Sequence, residues 1–112
     1  MEKSKKYLAD ILAAINLIED FLIDTPDFLQ YEKDRKTQSA VERQLAIIGE
    51  ALNKSKNLQK SFKIEHEKEI INFRNRLVHS YDSIDNSIVW AIIKKHLNLL
   101  KKEVEILLNE FN

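Results

Sequence analysis

The stretch "SKKYLADILAAINLIEDFLI", residues 4–23, sets the fold class. Its large apolar residues recur at three- and four-residue steps, which places them along one face of an α-helix. "DTPD" follows at once, and Pro26 disfavours helix at Thr25 because proline restricts the backbone of the residue before it. The pattern predicts a helix from Ser4 to Ile23 whose buried stripe consists of Leu8, Ile11, Leu12, Ile15, Ile18 and Leu22.

Two long helices with the same period follow this first one. A connector, "DFLQYEKDRK", is expected to be partly helical and leads to a helix from Thr37, a plausible cap, to Lys56. The last helix is predicted from Asp85, an N-cap candidate, to Leu108. The predicted stripes are Val41, Leu45, Ile48 and Leu52 in the former, and Ile88, Ile92, Leu99, Val104 and Leu107 in the latter.

A shorter helix, from about Glu65 to His79, lies between these two. Short links between amphipathic helices favour antiparallel neighbours. We therefore predict an all-α fold, a four- to five-helix up-and-down antiparallel bundle, in a single domain that spans residues 1–112.

The composition excludes several classes of function. Gly49 is the only glycine, so a P-loop, a dinucleotide-binding fingerprint and a nucleophile elbow are all absent. The 18 basic and 18 acidic residues cancel, so any contact with nucleic acid must come from a local patch. The absence of cysteine excludes disulfides, thiolate metal sites and cysteine nucleophiles.

The same composition bears on where the chain works. Proteins without cysteine suit a reducing compartment, so we expect a cytoplasmic protein. Asp10, Asn16, Glu19 and Asp20 interrupt the apolar run near the N-terminus, which argues against a signal peptide there. No stretch is long and apolar enough to predict a membrane span.

The stretch "INFRNRLVHSYDSID", residues 71–85, holds the candidate site. At about 100° per residue, Arg74 falls at the centre of an apolar stripe, and Asn75 and His79 share a neighbouring face. The members of this predicted stripe are Ile70, Ile71, Leu77, Val78 and Tyr81. A charge within such a stripe is costly unless it is paired or faces a cavity or an interface. A cation, an imidazole and the hydroxyl of Tyr81 thus come together within eight positions, as a catalytic site requires.

A structural interpretation of these residues stays open beside the functional one. Arg74 could be an ion-pair partner whose head reaches solvent, and His79 could simply favour the negative end of a helix. Tyr81 could be an aromatic at the edge of the core. In the preceding long helix, Glu50 shares one side with Arg43 and Lys54 and is a candidate counter-charge for Arg74.

The remaining histidines are weaker candidates. "HEKEI" begins like a zinc-protease helix, but Ile70 stands where a second histidine is needed. His66 and His96 are far apart in the sequence, and His96, among lysines, is expected on a solvated helix face. We therefore expect no metal site.

Three stretches together carry a family resemblance. "RNRLVHSY" has the spacing Arg, four residues, His, one residue, Tyr; "SAVERQLAIIGEALNK" precedes it and "DSIDNSIVW" follows it. In combination they closely resemble the HepT-like family of HEPN-domain proteins, over essentially the whole chain.

The resemblance implies a homodimeric helical bundle that acts as the ribonuclease toxin of a toxin–antitoxin module. In this family the motif Arg and His, here Arg74 and His79, act in metal-independent RNA cleavage at a cleft between two protomers, and Asn75 would support them. The motif Tyr, here Tyr81, is adenylylated by the partner, a minimal nucleotidyltransferase antitoxin, which silences the toxin. The resemblance implies an RNA substrate, such as tRNA or mRNA, with no cofactor and no membrane.

Two alternatives come from other classes of function. The chain could be a non-catalytic helical module that uses the same face to bind a nucleotidyltransferase partner or a nucleotide. It could also be a purely structural dimeric bundle, in which replacing Arg74 would mainly reduce stability.

Overall fold

Five helices build the protein in the computed structural model, which describes residues 2–58, 63–80, 82 and 84–111. The described residues contain no strand, so the predicted all-α class and helix order are confirmed. The connector after the first helix is itself a short helix. The helices are α1 (Glu2–Phe21), α2 (Phe28–Lys33), α3 (Arg35–Leu58), α4 (Glu67–His79) and α5 (Asn86–Asn109).

Aspartates mark the starts of the two longest helices. Asp85 caps α5 as predicted, because its carboxylate accepts a hydrogen bond from the Ser87 N–H at 2.8 Å. The predicted cap of the preceding long helix, Thr37, is wrong. Asp34 performs that role, accepting from the Thr37 N–H at 3.0 Å and from its hydroxyl at 2.6 Å, so α3 begins at Arg35. An acidic side chain competes better for the free N–H groups of a first turn.

Helix α1 packs mainly against α3 and also contacts α5. Near its start, Tyr7 lies beside Lys54 from the end of α3. Near its end, Glu19 accepts a hydrogen bond from Lys101 of α5 at 2.8 Å. The start of α1 thus meets the end of α3, which is the antiparallel arrangement expected for helices joined by a short link. Helix α4 packs against α3.

Aromatic contacts fix the short helix α2 against α5. Tyr31 is fully buried, and its ring centroid lies 5.2 Å from that of Trp90. Phe28 meets the same indole edge to face at 6.2 Å. These contacts explain why six residues form a stable helix here, since so short a segment is marginal on its own.

The hydrophobic core confirms two predicted stripes and corrects a third. The α3 stripe is fully buried, as is that of α1 apart from the half-buried Leu12 and Leu22. In α5 only Val104 was placed correctly in the core, because this helix is apolar on two adjacent sides and both satisfy the helical period. The core side is Val89, Ile93, Leu97, Leu100 and Val104, whereas Ile88, Ile92, Leu99 and Leu107 are half-buried.

His66 and His96 are brought together where the start of α4 meets α5. Their ring centroids lie 4.4 Å apart, and the His66 Nδ1 is 3.3 Å from the Glu69 carboxylate. The His96 Nδ1 is buried and has no hydrogen-bond partner among the described residues. The prediction of a solvated His96 holds only in part, because the side chain is half-buried where His66, just before α4, packs against its ring.

This pair makes folding stability depend on pH. Burial lowers the pKa of His96 below its ordinary value of 6.5, and the charges of His66 and Lys95 act in the same direction, against the opposing Glu69 carboxylate. The unfolded chain binds the proton more readily, so this contribution to stability is complete above about pH 6.5 and is lost as the pH falls through the folded-state pKa.

We expect the thermal midpoint of the wild type to fall more steeply than that of His96→Gln between about pH 7.5 and about pH 5.5. Circular dichroism melts of both proteins at closely spaced pH values measure the difference. A difference between the two midpoints that does not change with pH would contradict this assignment.

Candidate active site

Gly49 lets α4 approach α3 closely at Arg74. A Cβ added at Gly49 would overlap the Cβ of Arg74 and lie 2.7 Å from its Cγ. Such distances are too short for two carbon atoms, so no other residue fits at position 49 unless α4 or the Arg74 side chain moves. The sequence carried a signal of this contact that was missed, since a single glycine inside a helix costs about 1 kcal/mol and usually has a packing reason.

The Arg74 guanidinium is held by two acceptors. Its Nη2 forms an ion pair with the Glu50 carboxylate, and its Nη1 donates a hydrogen bond to the Asn75 Oδ1 at 2.9 Å. The Nε is buried and has no hydrogen-bond partner among the described residues. Glu50 also meets the Lys54 Nζ at 3.6 Å, so one carboxylate lies between two cations. The candidate counter-charge is thereby identified as Glu50.

The buried face of α4 differs from the predicted apolar stripe around Arg74. The core side of this helix is formed by Ile70, Phe73 and Leu77, and Phe73 was left out of the predicted stripe. Val78, which was placed in the stripe, is 46% exposed. Arg74 therefore lies at the edge of the apolar stripe rather than at its centre, and its side chain is 26% exposed.

An open groove of about 560 Å³ borders Arg74, with α1, α3 and α4 as its walls. Four cations and three carboxylates line it beside apolar side chains, so the groove carries charges of both signs and is not uniformly basic. The lining cations are Lys6, Arg43, Lys54 and Arg74, and the carboxylates are Asp10, Glu42 and Glu50. Burial raises the pKa of Glu42 above its ordinary value.

The other candidate residues lie further along the chain. Asn75 is exposed and contacts Arg74 directly. His79 is the last residue of α4, is exposed, and is not among the described residues that line the groove. It follows Arg74 by five positions of helix, a rise of about 7.5 Å. Tyr81 lies outside the described residues. One chain thus brings Arg74 and Asn75 together, and leaves His79 at the end of the same helix.

The described ranges contain neither a metal-binding cluster nor a membrane-spanning helix. Within them, no three His, Cys, Asp or Glu side chains are arranged to hold a metal ion. No helix in these ranges combines the length and the apolar character that a bilayer crossing requires.

Comparison with known proteins identifies the family. The family described as "HepT-like: Ribonuclease HepT-like" matches residues 11–107. The chain belongs to the HepT-like ribonuclease family. The predicted family is therefore confirmed, and the prediction of a ribonuclease is confirmed at the level of the family.

Full-length relatives of similar size share this similarity. "Probable ribonuclease HepT" of Thermococcus cleftensis is 42% identical over 112 residues, which cover 94% of this chain and 96% of the relative. "Putative RNase MJ1380" of Methanocaldococcus jannaschii is 37% identical over 103 residues, which cover 91% of this chain and 94% of the relative. No solved structure matches the chain.

Proposed function

We propose that this protein is a metal-independent endoribonuclease toxin of a HEPN/nucleotidyltransferase toxin–antitoxin module. It cuts RNA with Arg74 and His79 at a cleft between two protomers. The observation that carries the proposal is the setting of Arg74: a guanidinium fixed by Glu50 and Asn75 at the border of an open groove. An arginine in a family of ribonucleases, held in place by its neighbours and facing solvent, is suited to bind a phosphate.

Arg74 keeps donors for that phosphate. A guanidinium has about five N–H groups, of which Glu50 and Asn75 need only one each. The remaining N–H groups of Nη1 and Nη2 are left for a phosphate oxygen, whereas the Nε is buried and has no partner among the described residues. Preorganised donors of this kind stabilise the charge that grows on the phosphate oxygens in the transition state.

His79 supplies proton transfer. The ribose 2′-oxygen attacks the adjacent phosphorus and gives up its proton to a general base, while the bond from phosphorus to the 5′-oxygen breaks and that oxygen takes a proton from a general acid. The products are a 2′,3′-cyclic phosphate and a 5′-hydroxyl. An imidazole is suited to both roles because its ordinary pKa is near neutral.

A second protomer completes the cleft in this proposal. His79 lies at the exposed end of α4 and is not among the described residues that line the groove bordered by Arg74, so in this proposal the two side chains act together across a dimer. A symmetric dimer that places the ends of two α4 helices side by side would supply two copies of each motif residue to one cleft.

Tyr81 is the proposed point of control by the nucleotidyltransferase antitoxin. It follows His79 by two positions. Adenylylation would put a bulky phosphodiester anion beside the motif, where it would block RNA and engage Arg74.

Growth inhibition separates this function from the alternative, a non-catalytic module that binds a nucleotidyltransferase or a nucleotide. We expect the expressed wild type to stop growth and His79→Ala to be harmless, because losing acid–base catalysis costs about 100- to 10,000-fold in rate. His66→Ala is the matched control, a histidine replacement near the other end of α4, and should inhibit growth like the wild type. Equal inhibition by His79→Ala, with its binding to the partner unchanged, would favour the binding module.

A further inference from the structure

Tyr7 occupies a special position in the groove that Arg74 borders. It lies on α1, is half-buried, and packs against the hydrophobic core while also lining the groove. Two ammonium groups lie over its ring: the Lys6 Nζ is 5.5 Å and the Lys54 Nζ 5.8 Å from the ring centroid. A base that stacks on the ring would take the place of one of these flexible ammonium groups. An aromatic ring flanked by cations is the combination with which proteins hold single-stranded nucleic acid.

A continuous set of contacts joins Tyr7 to Arg74. Lys54 lies beside the Tyr7 ring and meets one oxygen of Glu50 at 3.6 Å. The other oxygen of Glu50 pairs with the Arg74 guanidinium. The Tyr7 ring and the Arg74 guanidinium thus belong to one surface, where Lys54 and Glu50 connect them.

We propose that Tyr7 is a stacking platform for a base of single-stranded RNA, next to the phosphate that Arg74 holds, with Lys54 on the intervening backbone. The inference rests on the proposed function, since it extends the same site to a neighbouring nucleotide. A groove of about 560 Å³ has the size of a small-molecule site, which suits one unstacked nucleotide.

The charges of the groove favour RNA binding by base stacking over binding by overall electrostatic attraction to phosphates. Lys6 is paired with Asp10 at 2.9 Å, and Lys54 shares Glu50 with Arg74, so most of the positive charge is locally balanced. A polyanion would gain little from such a surface by charge alone. The apolar face of the ring then supplies the selectivity for an unpaired base, which tolerates any sequence because every base has a π-face.

The test is the affinity for a fluorescein-labelled single-stranded oligoribonucleotide, measured by anisotropy in the uncut His79→Ala background. We expect Tyr7→Leu to weaken binding about 10- to 100-fold, as the loss of one base–aromatic stack does, and Tyr7→Phe to bind like the parent. Phe21→Leu is the matched control: another half-buried aromatic of α1, outside the groove, whose loss should not change the affinity.

The outcomes distinguish this inference from the proposed nuclease. Equal affinities of Tyr7→Leu and Phe21→Leu would overturn the stacking platform even if the wild type cuts RNA. Tyr7-dependent binding by a wild type that cuts no RNA would keep the platform and overturn the nuclease. If Tyr7→Leu does not fold, Tyr7→Trp is the deciding variant. The wild type has one tryptophan, Trp90, so any additional quenching of tryptophan emission by RNA in this variant comes from position 7. The platform predicts such additional quenching. No added quenching would overturn the platform.

Discussion

Replacing Arg74 with alanine is expected to lower the rate of RNA cleavage about 100- to 1000-fold while the protein stays folded. The expected loss is that of a preorganised donor aimed at charge in a transition state. The cost in stability should be small, because the ion pair with Glu50 is partly exposed and such pairs contribute little after solvent screening. Arg74→Lys should recover only part of the rate, since an ammonium cannot bind Glu50, Asn75 and a phosphate in the same planar arrangement.

Single-turnover cleavage rates and thermal melts, measured on the same preparations, check this prediction. Glu19→Gln is the matched control, because it removes the ion pair between Glu19 and Lys101, on the side of α1 that faces α5. It should leave cleavage unchanged. A large drop in melting temperature for Arg74→Ala, with normal cleavage by the folded fraction, would instead support the purely structural bundle.

Gly49→Ala should produce the second largest fall in cleavage rate, although residue 49 touches no substrate in this account. The added methyl group would overlap the Arg74 Cβ, so α4 or the Arg74 side chain must shift. Overpacking costs about 1–3 kcal/mol. The better helix propensity of alanine returns about 1 kcal/mol of this. A displacement of about 1 Å at a catalytic group can cost about 100-fold in rate. We therefore expect a large fall in the cleavage rate and only a small fall in the free energy of unfolding.

Cleavage rates and urea melts of Gly49→Ala, read beside Asn57→Ala, test this expectation. Asn57 is exposed on the same helix, so its replacement gives a similar propensity gain without a new contact. Full activity and higher stability in Gly49→Ala would mean that α3 and α4 do not meet as closely as described.

Local patterns in the sequence predicted the helices and much of the core. In α1 and α3 most of the large apolar residues lie on one side, so the helical period alone identified the buried faces. In α5 two adjacent sides are apolar, and the choice between them depends on which side meets α1. Periodicity carries no information about that neighbour, which is why the α5 stripe was predicted one residue away from its true position.

The sequence was enough to propose the residues of the candidate site, but it did not predict their contacts. Three stretches together, one of them with the spacing of Arg74, His79 and Tyr81, carried the family resemblance. The pairing of Arg74 with Glu50 needed the approach of two helices at Gly49, and the meeting of His66 with His96 needed the contact of α4 with α5. Such contacts join residues distant in the chain, and a single sequence does not record them.

The measurement that tests the central claim most directly is cleavage of a tRNA pool by purified protein in EDTA, beside His79→Ala. Intact mass must first show that Tyr81 carries no nucleotide, because adenylylation would silence the wild type. The account predicts cutting by the wild type, with 2′,3′-cyclic phosphate ends, and none by His79→Ala. Absence of cutting by unmodified, dimeric wild type, or equal cutting by His79→Ala, would contradict it.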